Sequence, residues 1–176
     1  CNDGLMDKLL MSGFIIHLCK INVLCMRIGD KAPDFELTNQ LGSKIRLSDL
    51  IMSRNVVLFF YPKDDSPGCT REACAFRDSY EVFKEVGAEV VGISSDSEDS
   101  HQHFADKHNL PYTLLSDKGG TVRKLYGVPK TLGILPGRVT YIIDKQGVVC
   151  HIFNSQLNFE GHIEEALSIL KSMDNN

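Results

Sequence analysis

The chain has 176 residues, of which 43% are hydrophobic and 24% charged, and its formal net charge is −4. That length supports one domain with a substantial core. An acidic balance without clustered basic residues excludes a general nucleic-acid binder and a polybasic membrane surface.

Residues 1–25 do not resemble the rest. Their apolar stretch, Leu9 to Leu18, is short, contains His17 and is followed by Lys20, a pattern unsuited to a membrane span. The segment is expected to be a leader, a targeting remnant or a non-native extension, with Met26 as a sensible start of a single domain over 26–176.

From Met26 the pattern is orderly. Phe35, Leu37, Ile45 and Leu47 alternate with polar residues around Asn39–Ser43, predicting a β-hairpin. Ser48-Asp49 reads as the cap of a short helical turn. The unbroken apolar run 55–61 predicts a buried strand. A helix is expected over 67–86, a strand over 88–94, a polar helix over 97–108 and a strand over 112–115. Gly119-Gly120 reads as a turn before a short helix at 121–126. A second hairpin, 138–144 with 148–153, turns at Asp144–Gly147, and an amphipathic helix closes the chain over 160–172. This order predicts an α/β, thioredoxin-like fold: a mixed central sheet flanked by helices, with an N-terminal β-hairpin.

The six cysteines stand at 1, 19, 25, 69, 74 and 150. They lack the regular spacing of a small secreted disulfide scaffold, and the chain has no Asn-x-Ser/Thr sequon. One or two working thiols in a mostly reduced protein fit better. Cys69 is the best placed. Ser66 then Pro67 is a strong helix start, so Cys69 falls on the third helical residue, where unpaired N–H groups and the helix dipole favour an anion. Bringing a thiol from pKa ~8.5 to ~6 gains roughly 30-fold in thiolate at pH 7, partly offset by weaker nucleophilicity. Fast chemistry therefore needs a further group that stabilises charge on the atom under attack.

On a continuous helix Cys69, Ala73, Phe76, Tyr80 and Phe83 form an apolar stripe, and Cys74 lies on a more polar one. Five helical residues separate two Cα atoms by about 8–9 Å, beyond the ~7 Å limit of a disulfide. If these two bond, the helix start must unwind. Cys74 alone reads equally well as a packing residue.

Pro62-Lys-Asp-Asp-Ser66-Pro-Gly-Cys69-Thr resembles the active-site signature of the peroxiredoxins, Pro-x-x-x-Thr/Ser-x-x-Cys. A second cysteine five residues later resembles the peroxiredoxin Q, or bacterioferritin comigratory protein, branch. The likeness runs over about residues 27–172, including Gly29–Phe35, Cys74-Ala-Phe-Arg-Asp78 and Leu135–Tyr141. Phe153–Phe159 is most similar to cyanobacterial and plastid members.

The resemblance implies a thiol peroxidase acting on hydrogen peroxide and small organic hydroperoxides, with no metal, haem or flavin. It makes Cys69 the peroxidatic residue, oxidised to sulfenic acid, and Cys74 the resolving residue, which closes an intramolecular disulfide that a thioredoxin-type donor reduces. Ser66 matches the hydroxyl that bonds thiolate and substrate, Arg138 the arginine that holds both charges, and Pro62 the proline that limits water access. A monomer suffices, in a cytoplasm or a plastid.

His101, His103 and His108 suggest a solvated polar helix rather than a metal site, because 103 does not share the face of 101 and 108. Cys150 and His151 are neighbours on a strand, so they face opposite ways and Cys150 is expected to pack or be half-exposed. Cys19 and Cys25 take no role. Two other functions fit a lone reactive thiol: a general thiol–disulfide oxidoreductase, though Cys-x-x-Cys is absent, and a redox sensor or holdase-type binding protein.

Overall fold

Asn55–Phe60 forms β3, the strand from which the rest of the sheet extends in both directions. Its run is apolar throughout because alternate side chains feed two cores. Val57 and Phe59, with Tyr61 just beyond the strand, enter one core; Val56, Leu58 and Phe60 enter the other. The computed structural model describes residues 26–131 and 135–174, and the leader expected over 1–25 lies outside them.

The other strands are β1 (Glu36–Asn39), β2 (Lys44–Arg46), β4 (Ala88–Ser94), β5 (Thr113–Ser116), β6 (Lys130–Thr131), β7 (Leu135–Pro136), β8 (Val139–Ile143) and β9 (Val149–Asn154). Six of them join β3 in one seven-stranded sheet in the order β2-β1-β5-β4-β3-β8-β9. β3–β4 and β4–β5 are parallel, whereas β1–β2, β1–β5, β3–β8 and β8–β9 are antiparallel. This is the mixed sheet expected of a thioredoxin-like fold. The pair β6–β7 stands apart as a small hairpin that the sequence pattern did not reveal.

The helices are α1 (Leu47–Ile51), α2 (Pro67–Asp78), α3 (Tyr80–Glu85), α4 (Glu98–His108), α5 (Thr121–Leu125) and α6 (Phe159–Asp174). Phe76, Phe83, Phe104, Ile163 and Leu170 bring α2, α3, α4 and α6 onto the core shared by Val57 and Phe59. Leu47 and Val122 bring α1 and α5 onto the other. Phe59 stacks on Phe76 with ring centroids 4.5 Å apart, a contact that adds about 0.5–1.5 kcal/mol to the area buried and ties α2 to the sheet.

Two local readings change. The helix expected over 67–86 breaks at Ser79 (φ −101, ψ 1), yet Ser79 N–H still donates to the Ala75 carbonyl and Phe83 N–H to the Ser79 carbonyl. The break is shallow enough for the apolar stripe to continue from Phe76 to Phe83. The turn at Ser48 is not capped by its own residues: α1 starts at Leu47, and Ser48 N–H donates to Asp34 Oδ1 from the preceding loop.

Candidate active site

The site is built where the end of β3 feeds α2. Ser66 is the N-cap of α2 in extended backbone, Pro67 is its first residue, and the Ser66 carbonyl accepts the Thr70 N–H. The capping side chain behaves differently from expectation. Ser66 Oγ donates to the Lys63 carbonyl at 3.0 Å and caps no helical N–H. Asp65 adopts left-handed backbone at φ 54, which a short polar side chain tolerates. It accepts from Lys107 Nζ and His108 Nε2, and Lys107 first, then His108, holds its carboxyl below the usual range.

Cys69 is 2% exposed, so only a small oxidant could meet its sulfur without movement of the chain. Arg138, from the residue before β8, places Nη2 3.3 Å from Cys69 Sγ. The two residues are 69 positions apart in sequence and meet because β8 pairs with β3. Gly137 makes that entry possible. A Cβ there would lie 2.0 Å from the Pro129 carbonyl oxygen, so only glycine fits beside the arginine.

The same guanidinium donates through Nη1 to Glu72 Oε2. Glu72 is wholly buried, one turn after Cys69 on the same face of α2. Burial lifts its carboxyl to about 8, although Arg138 pulls the other way. His162 of α6, also buried, sets Nδ1 3.7 Å from Glu72 Oε1, and burial lowers its pKa to about 4. Phe159 lies over the Arg138 guanidinium at 4.9 Å and over Arg71 at 5.7 Å. Its ring is pressed against Gly68, and Arg71 pairs with Glu160 at 2.6 Å. The first turns of α2 and α6 therefore clasp each other.

Cys74 is half-buried on α2, and Cys69, Cys74 and Cys150 are all free thiols. The helix is continuous from Pro67 to Asp78, through both Cys69 and Cys74. Its later part is fixed by Tyr112 Oη donating to the Ala73 carbonyl and Arg77 Nη1 donating to the His108 carbonyl. Pro62 is half-buried immediately after Tyr61.

His101 overturns the solvated-helix reading. It is fully buried, with Nε2 3.1 Å from the Leu115 carbonyl and Nδ1 2.9 Å from Asp64 Oδ2. Asp64 also accepts from Tyr61 Oη and Ser100 Oγ, and its N–H donates to Asp96 Oδ2. This network braces the segment between β3 and Cys69. An alternation of polar residues hid it, because α4 turns one histidine inward to a partner on a distant loop. Cys150 is half-buried as expected, and burial, then Asp144, raises its thiol pKa.

Residues 28–152 match the AhpC/TSA family. The chain belongs to that family. Within the AhpC/TSA proteins it sits in the peroxiredoxin Q branch. It is 55% identical over 146 residues to the chloroplastic peroxiredoxin Q of Sedum lineare, covering 82% of this chain and 78% of that one. It is 57% identical over 145 residues to that of Arabidopsis thaliana, covering 82% and 67%. The crystal structure of peroxidoxin BcpB from Mycobacterium tuberculosis superposes with a TM-score of 0.79 at 42% identity, covering 84% of this chain and 98% of that one. As an AhpC/TSA protein of this branch, the chain is a thiol-dependent peroxidase: its substrates are peroxides and its electrons come from a thiol. Among the described residues no helix is long and apolar enough to cross a membrane.

Proposed function

We propose that Cys69 is the peroxidatic thiol, reducing hydrogen peroxide and small organic hydroperoxides, and that Cys74 resolves it within the same chain. The observation that carries this reading is the buried 3.3 Å contact between Arg138 Nη2 and Cys69 Sγ. A guanidinium there stabilises a thiolate and the negative charge that grows on a bound peroxide. The sulfur attacks one peroxide oxygen, the O–O bond breaks, sulfur is oxidised to sulfenic acid, and the departing oxygen takes a proton as water or alcohol. Ser66 keeps lone pairs for the peroxide proton, and Pro62 limits water at the sulfur. The Cys74 thiol then displaces water from the sulfenic sulfur to form the disulfide. A thioredoxin-type dithiol reduces it, in a monomer. The chloroplastic names of the plant relatives favour the plastid among the compartments open to this chain.

Intact-mass measurement after one equivalent of hydrogen peroxide tests the cycle. The native chain is expected to lose two hydrogens and yield a peptide linking Cys69 to Cys74. With Cys74→Ser it should instead gain one oxygen at Cys69 and turn over once. A disulfide to Cys150, or a Cys74→Ser chain that thioredoxin recycles at the native rate, would overturn the resolver assignment.

The clasp between α2 and α6 bears on the same step. The Arg71–Glu160 pair is exposed and contributes little, so Phe159 carries most of the restraint on the first turn. Phe159→Ala is expected to speed closure of the disulfide from sulfenic acid several-fold, because local opening controls that step. Rapid-quench mass analysis would show it. An unchanged closure rate would mean that Phe159 does not restrain the turn.

A further inference from the structure

Cys69 and Glu72 are two buried acids bonded to one guanidinium. Arg138 faces Cys69 through Nη2 and Glu72 through Nη1. The other buried guanidinium nearby, Arg123, donates to the Tyr61 and Gly137 carbonyls and interacts electrostatically with the Asp117 carboxylate first and with Cys69 after it. Tyr112 stays neutral, its hydroxyl spent on the Ala73 carbonyl. With Asp117 as the first partner of Arg123, a thiolate at Cys69 and a carboxylate at Glu72 would share Arg138 as the one guanidinium bonded to both, away from water. Two buried anions on one cation are strongly disfavoured, so their protons are coupled and one acid keeps its own.

The second oxygen of Glu72 shows where that proton fits. Oε1 has no hydrogen-bond partner and points toward His162 Nδ1 at 3.7 Å. His162 Nε2 lies 2.9 Å from the Ser155 carbonyl, which can only accept, so Nε2 carries the hydrogen. Nδ1 of the neutral ring is then a lone pair, which accepts the Thr140 hydroxyl at 2.7 Å. His162 therefore has no hydrogen to offer Oε1: a carboxylate oxygen would face the Nδ1 lone pair unfavourably, whereas a protonated Oε1 would not.

We propose that in the reactive enzyme Glu72 carries a proton on Oε1, the oxygen that Arg138 does not bond, which leaves the charge of Arg138 to the Cys69 thiolate and the peroxide. Glu72 acts through Arg138 and is a positioning residue. The proposal rests on the reading of Cys69 as the attacking thiolate. The raised carboxyl of Glu72, at about 8, and the depressed imidazole of His162, at about 4, agree with two neutral partners near neutral pH.

Ionising Glu72 would divide the charge of Arg138 and slow attack. Between pH 7 and 9 a carboxyl titrating near 8 goes from about 90% to about 10% protonated. The rate constant for oxidation of Cys69 by hydrogen peroxide, followed by rapid quench and mass, should fall up to about tenfold over that range. Glu72→Gln should abolish the alkaline fall. A native rate that does not fall, or a fall that persists in Glu72→Gln, overturns the proposal. Infrared spectroscopy gives a readout independent of turnover. The native chain at pH 7 should show the C=O stretch of a protonated carboxylic acid that Glu72→Gln lacks, and its absence would overturn the proposal even if Cys69 reacts. Failure of peroxide to oxidise Cys69 at all would instead refute the underlying assignment.

Discussion

Cys69→Ser is expected to abolish hydroperoxide consumption while leaving the fold intact. A serine oxygen is not ionised near neutral pH and cannot accept a peroxide oxygen as sulfenic acid does. The side chain keeps its shape, and its oxygen can take the Arg138 Nη2 hydrogen bond that Sγ takes at 3.3 Å. The urea midpoint should therefore stay near the native value while turnover vanishes. No other described thiol can stand in. Cys150 is held protonated by burial and by Asp144, and the guanidinium of Arg138 bonds Cys69, not Cys74. Steady-state assay with a thioredoxin system, beside a urea melt, checks both halves. Residual peroxide turnover above the uncatalysed rate would refute the role of Cys69.

The part of this site legible in the sequence is the part that lies on regular local signals. Ser66-Pro67 announces a helix start, and the run 55–61 announces the buried strand that delivers it. Arg138 was reachable through likeness to a family and not through spacing, since 69 residues separate it from Cys69 and only the antiparallel β3–β8 pairing joins them. Glu72 escaped because Arg71-Glu72 reads as a solvated helix face. Its position three residues after Cys69 was the available signal that it points inward with the thiol. His162 sits among Ile163, Ala166 and Leu170 on the apolar face of α6, where a histidine has no local mark of function. The Asp64–His101 contact joins two segments 37 residues apart. Long-range polar pairing of this kind follows from topology and leaves no periodic trace. Ser66 shows the converse: the strongest capping signal gave the correct helix start, yet its hydroxyl turned to Lys63.

Arg138→Met is expected to slow oxidation of Cys69 by about 10²–10³-fold, the usual loss when one preorganised donor to a developing anion is removed. Methionine keeps much of the apolar stem under Phe159 but loses the cation–π contact there, worth about 0.5–2 kcal/mol. It also leaves the buried Glu72 Oε2 without its donor, which costs further stability. Rate and stability can be separated. Adding Glu72→Gln to Arg138→Met removes the stranded acid and should recover urea stability while the rate stays low. Arg138→Lys restores the charge but not the fork: one ammonium cannot sit at Cys69 Sγ and Glu72 Oε2 with the geometry of two guanidinium nitrogens. It should regain about tenfold or less of the lost rate. If the Met/Gln double variant regained the native rate, the arginine would matter only as the partner of Glu72, and charge stabilisation at sulfur would have to come from elsewhere.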